Sequence, residues 1–380
     1  MQPSRRICVA LLACFSAFAY AGQAAPQGAA PPQVPPAPGG NGVVLSQRPA
    51  PQAENANPAG AGISLDVVVA DKSGKPVPGL TLSDFTLLDN KQPSKILSFR
   101  SSDGTAQPAD PLVQVILLFD TVNTDFDAVS FARQQTENFL RQNGGHLAVP
   151  VSIYWLTNEG INQQQELSTD GNALAAQLDA ATSRLRTINR AAGAYGAIER
   201  FELSTRMLDT LAQNELHVPG RKLLIWAGPG WPMLDNPEID VSSKGQQALF
   251  SEIVRMSALM REAHIELDSI SQGMPGPDTY LYQSFVKGVK KLQQAGASNL
   301  SLKVLAVQSG GLVLSPTNDL SSSIARCMQD AGPFYTLSFA PPPADGPNEY
   351  HELQVRIGRP GLTAHTNTGY YNQPQRPPAP

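Results

Sequence analysis

Apolar and polar positions follow three regimes along the chain. Between Ile63 and Arg100 they alternate. Ile63, Leu65, Val67 and Val69 share one face of a strand, Lys72-Ser73-Gly74-Lys75 supplies a hairpin turn, and Phe85 with Leu87 and Ile96 with Phe99 mark two more short strands. Three strands alone make a marginal sheet, so these require partners. From residue 112 the pattern becomes charge-poor apolar runs separated by helical periods. Strands are expected over 112–120, 149–156, 222–227, 265–270 and 311–314, and helices over 126–141, 171–185, 194–211, 244–264, 281–295 and 300–308. Runs apolar on both faces belong to parallel strands, and their alternation with helices implies right-handed βαβ units. After residue 332 short strands return, over 333–339, 350–357 and 361–370, split by Pro-rich loops. The economical arrangement pairs them with the first strands. One β-sandwich is then built from segments 62–104 and 332–372, flanking an α/β domain over 110–331.

The ends of the chain read differently. Arg5 and Arg6 precede an apolar run over 7–19, and Ala19-Tyr20-Ala21 provides small residues for cleavage before Gly22. Residues 1–21 are thus expected to be a secretory signal peptide, the run being too short for a membrane span. In the alternative, Leu11-Leu12-Ala13-Cys14 is a lipoprotein cleavage box that leaves Cys14 acylated. Residues 22–61, rich in Pro, Ala, Gly and Gln, and the tail 373–380 carry too little apolar surface to order themselves and read as disordered tethers.

Composition removes several function classes. The formal charge of the 380 residues is −4, cleavage of the leader removes two arginines, and no basic stripe occurs in the sequence, which disfavours nucleic acid and anionic membranes as partners. Cys8 and Cys14 lie in the leader, so Cys327 is the one cysteine of the mature chain and no internal disulfide is expected. Its helical surroundings suit a buried small hydrophobe. The five histidines are scattered without zinc-type spacing, and neither a G-x-S-x-G elbow nor a phosphate-binding glycine motif occurs. These features point away from an enzyme.

The candidate chemistry begins at Asp120. In an open α/β sheet ligands bind beyond the carboxyl ends of the strands. There the run over 112–120 stops on an acid followed by Thr121, Asn123 and Thr124, the start of an oxygen-ligand site. The segment Ala227-Gly228-Pro229-Gly230-Trp231-Pro232 follows another buried strand and belongs to the same edge. Trp231, next to Trp226, is open to two readings, an exposed aromatic anchor or packing under the loop. Tyr280 and Tyr282 are expected on the rim.

Taken in order, VVVADKSGKPVPGLTLSDFTLLDNKQ, VILLFDTVNTDF, LKVLAVQSGGLVL, PFYTLSFAPP and RPGLTAHTNTGYY resemble the VWFA-related proteins of acidobacterial type, and the α/β segment resembles a von Willebrand factor type A domain. The resemblance spans about residues 62–372. It implies a six-stranded, Rossmann-like parallel-type sheet flanked by helices and used for binding, with a divalent cation held in many such domains by three loops. Carried over, the first loop supplies Asp120, Val122 and Thr124, the second-loop threonine falls near Ala192, and the third-loop aspartate falls at Gly228 or Pro229. Val122, Ala192 and Gly228 offer no side-chain oxygen. Mg²⁺ needs a nearly octahedral oxygen shell, so the resemblance implies a degenerate site with no metal or cofactor. If any ion binds, Asp120 and Thr124 would hold it, and Asn123, Asp125 and Asp127 leave an irregular Ca²⁺ shell as the alternative. The expected role is non-catalytic protein binding in the periplasm or at the cell surface, through a face formed by Asp120, Val122, Thr124, Ala192, Gly228 and Trp231. A structural role in envelope assembly through the sandwich is the alternative.

Overall fold

A computed structural model describes residues 62–102, 113–163, 167–182, 193–234, 243–276 and 278–374. The leader, the Pro-rich segment and the tail fall outside them. The first strands are β1 (Ile63–Ala70), β2 (Phe85–Asp89), β3 (Gln92–Ser94) and β4 (Ile96–Ser102). The central part runs β5 (Gln114–Asp120), α1 (Phe126–Leu140), β6 (His146–Thr157), β7 (Gly160–Gln163), β8 (Ser168–Asp170), α2 (Gly171–Thr182), α3 (Gly193–Glu215), β9 (Lys222–Ala227), α4 (Ser243–Glu262), β10 (Ile265–Ile270), α5 (Asp278–Leu281), α6 (Leu302–Ser309) and α7 (Leu320–Gln329). The chain closes with β11 (Phe334–Phe339), β12 (Glu349–Ile357), β13 (Thr363–His365) and β14 (Gly369–Asn372).

The central sheet has the order β10-β9-β5-β6-β7, with β8 also on β6. The pairs β10–β9, β9–β5 and β5–β6 are parallel, and β7 and β8 run antiparallel at the edge. This is the mostly parallel, helix-flanked sheet that the resemblance implies. Strand β5 shows why a continuous apolar run was needed. Ile116 and Leu118 enter one core with Trp226 and residues of α3, α4 and α6, whereas Val115, Leu117 and Phe119 enter another with residues of α1, α2 and α7. Each such buried side chain contributes roughly 1.5–3 kcal/mol.

The flanking segments form two four-stranded sheets, β13-β1-β11-β4 and β14-β12-β2-β3. Each mixes strands from both ends of the chain, with Ile63 opposite Phe339 and Ile357 opposite Phe85. Leu65, Val67, Val69, Tyr335, Leu337 and Phe339 of the first meet Phe85, Leu87, Leu353, Val355 and Tyr370 of the second in one core. The expected sandwich is present.

Three segments depart from the sequence reading. The helix expected over 281–295 is replaced by α5 and short three-ten turns at Tyr282–Phe285 and Leu292–Gln294. Tyr350 is the reason. Its ring lies so close to Gly288 that any side chain there would collide, and the Val289 N–H donates to the Tyr371 hydroxyl at 3.1 Å. The strand expected over 311–314 is a single parallel bridge between Ser269 and Val313, because the Leu312 N–H donates to the Asp268 carboxylate at 2.7 Å. The strand expected over 361–370 is split, β13 pairing with β1 in one sheet and β14 with β12 in the other. The hairpin β6–β7, which turns at Asn158-Glu159, was not expected. Among the described residues no helix is long and apolar enough to cross a membrane.

Candidate functional site

Asp120 ends β5 at the upper edge of the sheet, and its carboxylate organises the loop that follows. Its Oδ1 accepts the backbone N–H groups of Val122 at 3.0 Å and Asn123 at 2.9 Å. Its Oδ2 accepts from the Asn123 side-chain amide at 2.9 Å and from the Trp226 indole N–H at 3.1 Å. The same Asn123 amide reaches the Ser204 hydroxyl on α3 at 3.0 Å. The residue is only 1% exposed. Burial pushes its carboxyl above the usual range, while these hydrogen bonds pull it back down. Thr121 anchors the loop to the neighbouring strand, its N–H and hydroxyl both donating to the Leu156 carbonyl. Asp125 closes it by capping α1, accepting the Ala128 N–H at 2.8 Å.

The expected face is only partly a face. Asp120 and Val122 are buried, Val122 within the core under α3 and α4. Thr124 is half-buried, and its Oγ1, like Asn123 Oδ1, is buried without a hydrogen-bond partner. Gly228 leaves β9 directly against them. A Cβ built there would stand 2.7 Å from the Asp120 Cβ and 3.0 Å from the Thr124 Oγ1, so the third loop comes this near only because the side chain is missing. Ala192 lies outside the described residues. Trp231 corrects the anchor reading: it is 3% exposed, donates its indole N–H to the Leu300 carbonyl at 3.1 Å and meets Trp226 edge-on at 5.5 Å between centroids. Buried apolar area outweighs any surface role, and of the two readings packing under the loop is the one that holds.

The donor set does not fit a hard dication. Where a cation would balance Asp120, the N–H groups of Asn123 and Trp226 point at the carboxylate and satisfy it. The Thr124 hydroxyl and the Asn123 Oδ1 complete the inventory, against the six or more oxygens that Mg²⁺ or Ca²⁺ takes. Asp125, counted for a Ca²⁺ shell, is occupied as a helix cap. Among the described residues no three His, Cys, Asp or Glu side chains are grouped to hold a metal ion.

Large apolar side chains are nonetheless exposed at this edge. Phe126 begins α1 and Tyr195 stands in the first turn of α3, while Met274, Tyr280 and Leu281 follow β10; Met274 reaches 89% exposure. Tyr282 is instead half-buried, with the Lys303 ammonium 6.0 Å above its ring. Asn123, expected as an oxygen ligand, instead turns its amide N–H groups to Asp120 and Ser204. Ser204 was missed by sequence reasoning, since in the middle of a helix it gave no signal.

No family model matches the sequence, and neither does any curated protein. Solved structures similar in part include the human COPII-coat protein Sec24c, at 10% identity, covering 70% of this chain and 44% of that one, with a TM-score of 0.36. Manganese-loaded Plasmodium vivax TRAP protein is 9% identical, covering 72% and 97%, at 0.34. The SpRpn10 VWA domain is 12% identical, covering 56% and 94%, at 0.27. The chain thus spans less than half the length of the Sec24c chain. Strand order and register, not these likenesses, carry the von Willebrand A-like description of the central domain.

Proposed function

We propose that this chain is an exported, non-catalytic protein of the acidobacterial VWFA-related type that binds a protein partner through the upper edge of its α/β domain without a metal ion. The observation that carries this reading is the Asp120 carboxylate, closed by four N–H groups from Val122, Asn123 and Trp226. A carboxylate held this way fixes a loop; it does not recruit a ligand. Recognition then passes to the apolar side chains around that loop, Phe126, Tyr195, Met274, Tyr280 and Leu281, of the kind that anchors interfaces. Export follows from the leader, and the Pro-rich segment would hold the folded part away from its point of attachment.

The test is capture from an envelope extract by the immobilised chain, in Mg²⁺ and in EDTA. Equal capture in both, lost when Met274 and Tyr280 are replaced by Ser, supports the reading. EDTA-sensitive capture, or capture unchanged in that double variant, overturns it. One observation favours the envelope-assembly alternative: β4 is an edge strand with no outer partner among the described residues, and it exposes Leu97. Capture lost on substitution in β4 alone would select that alternative.

A further inference from the structure

Buried ionisable groups collect at the lower edge of the central sheet, where it meets the sandwich. Glu266 and Asp268 share one face of β10, and both are buried. Arg221, itself 1% exposed, donates to the Glu266 Oε2 at 2.7 Å and to the Asp330 backbone carbonyl at 2.6 Å, just past the end of α7. His264, at the start of β10, pairs through Nδ1 with Asp66 of β1 at 2.8 Å, and Asp66 also accepts from Thr336 of β11 at 3.0 Å. Asp268 accepts the Leu312 N–H and lies against the Cys327 thiol of α7. One network therefore fastens β1, β11 and the end of α7 to the sheet.

Of the cations in this network, Arg221 is the one that donates to Glu266. Facing Glu266 are the carboxyl groups of Asp66, Asp268 and Asp330. The cations around it are Arg221, Lys222 on β9, His264, Arg261 on α4 and Arg326 on α7. Lys222 is spent on the Glu215 and Ala263 carbonyls, and Arg326 pairs with Asp330 at 3.1 Å. Arg261 makes only a 3.4 Å contact with Glu262. A water-sized cavity lined by Asp66, Arg221, Arg261, His264 and Glu266 opens at the same seam, and Glu266 Oε1 and the Nε atoms of both arginines are buried without partners.

We propose that this cluster is a proton-operated joint: a proton on Glu266 keeps β1, β11 and the end of α7 seated on the central sheet, and loss of that proton loosens them. The protonated carboxyl still accepts from Arg221 and adds no further negative charge beside Asp66 and Asp330. The ionised form faces both of those acids, and Asp268, pushed well above the usual carboxylate range by burial and by Glu266, resists a second charge on the same strand face. Burial pushes the Glu266 carboxyl from 4.5 up to about 7 against the opposing pull of Arg221, with Asp330 and Asp66 adding to the rise. The sign follows. Between those values the folded chain holds a proton that the unfolded chain has lost, so stability falls as pH rises through the window.

Hydrogen exchange of the full chain, corrected for the intrinsic pH effect and compared at pH ~6 and ~8, tests the joint. Exchange in Ile63–Ala70 and Phe334–Phe339 is expected to rise about tenfold at the higher pH, with Lys222–Ala227 changing less. Glu266→Gln keeps an acceptor for Arg221 and should abolish the step. Asp66→Asn removes one facing carboxylate and should move its midpoint down. An absent step, a step unchanged in Glu266→Gln, or a midpoint unmoved in Asp66→Asn overturns the proposal.

Discussion

Asp120 and Glu266 are both buried carboxyl groups of one sheet, on strands β5 and β10 with β9 between them, and burial raises both. Their surroundings differ in kind. Around Asp120 the hydrogen-bond partners are N–H donors from its own loop and from Trp226 of β9, so the charge is dispersed by dipoles. Around Glu266 the neighbours are charged side chains, Arg221 and Arg261 with Asp66, Asp268 and Asp330, so the arrangement depends on how many protons are present. The difference teaches that a buried acid is quiet when solvated by dipoles and responsive when balanced by charges.

The largest expected way to break that contrast is Arg221→Met. Removing the arginine leaves Glu266 and the Asp330 carbonyl without their donor and should lower unfolding stability by about 3–5 kcal/mol in a urea titration. Gly228→Ala attacks the other region. Its Cβ would press on Asp120 and Thr124, and a loss of about 1–3 kcal/mol is expected by the same titration. Trp226→Phe removes one donor from Asp120 while preserving most of the packing. It should cost about 1–2 kcal/mol and raise the Asp120 carboxyl further, read by NMR titration. Mg²⁺ or EDTA should leave the melting temperature where it is, since the Asp120 site is already satisfied by N–H groups; a rise with Mg²⁺ would collapse the comparison. The smallest effect belongs to Asp84, on the surface of the sandwich. Arg359 holds its carboxyl down to about 2 from 3.8, so its small stabilisation is present above the ordinary value and is lost as pH falls towards about 2. Asp84→Asn should flatten that acid limb.

Much of the scaffold was legible because burial on two faces leaves an unmistakable trace. β9 begins and ends where its apolar run does. Local reading failed where distant residues decide. The segment over 281–295 has helical spacing, yet Tyr350 and Tyr371, far along the chain, bend it over Gly288. Around Asp120, the loss of metal donors at Val122 and Gly228 could be seen from the carried-over pattern. What replaced them, Asn123 held by Ser204 and the Trp226 indole, could not, because a hydrogen bond between residues over eighty positions apart leaves no periodicity. On β10, Ile265-Glu266-Leu267-Asp268 looks like a strand with one wet face. Both faces are dry, since the partners of its acids come from the start of β9 and the end of α7.

The interleaved sandwich imposes an order of events on synthesis. β1 is made first but lies between β11 and β13, and the Tyr335 hydroxyl that donates to the Val77 carbonyl is 258 residues away from it. Until residues from Phe334 onward have emerged, β1 and β4 have no sheet neighbour and β2 has β3 alone. Such long-range closure slows folding and leaves naked strand edges for the duration. A chain built this way should be intolerant of C-terminal truncation long before any part of the α/β domain is touched.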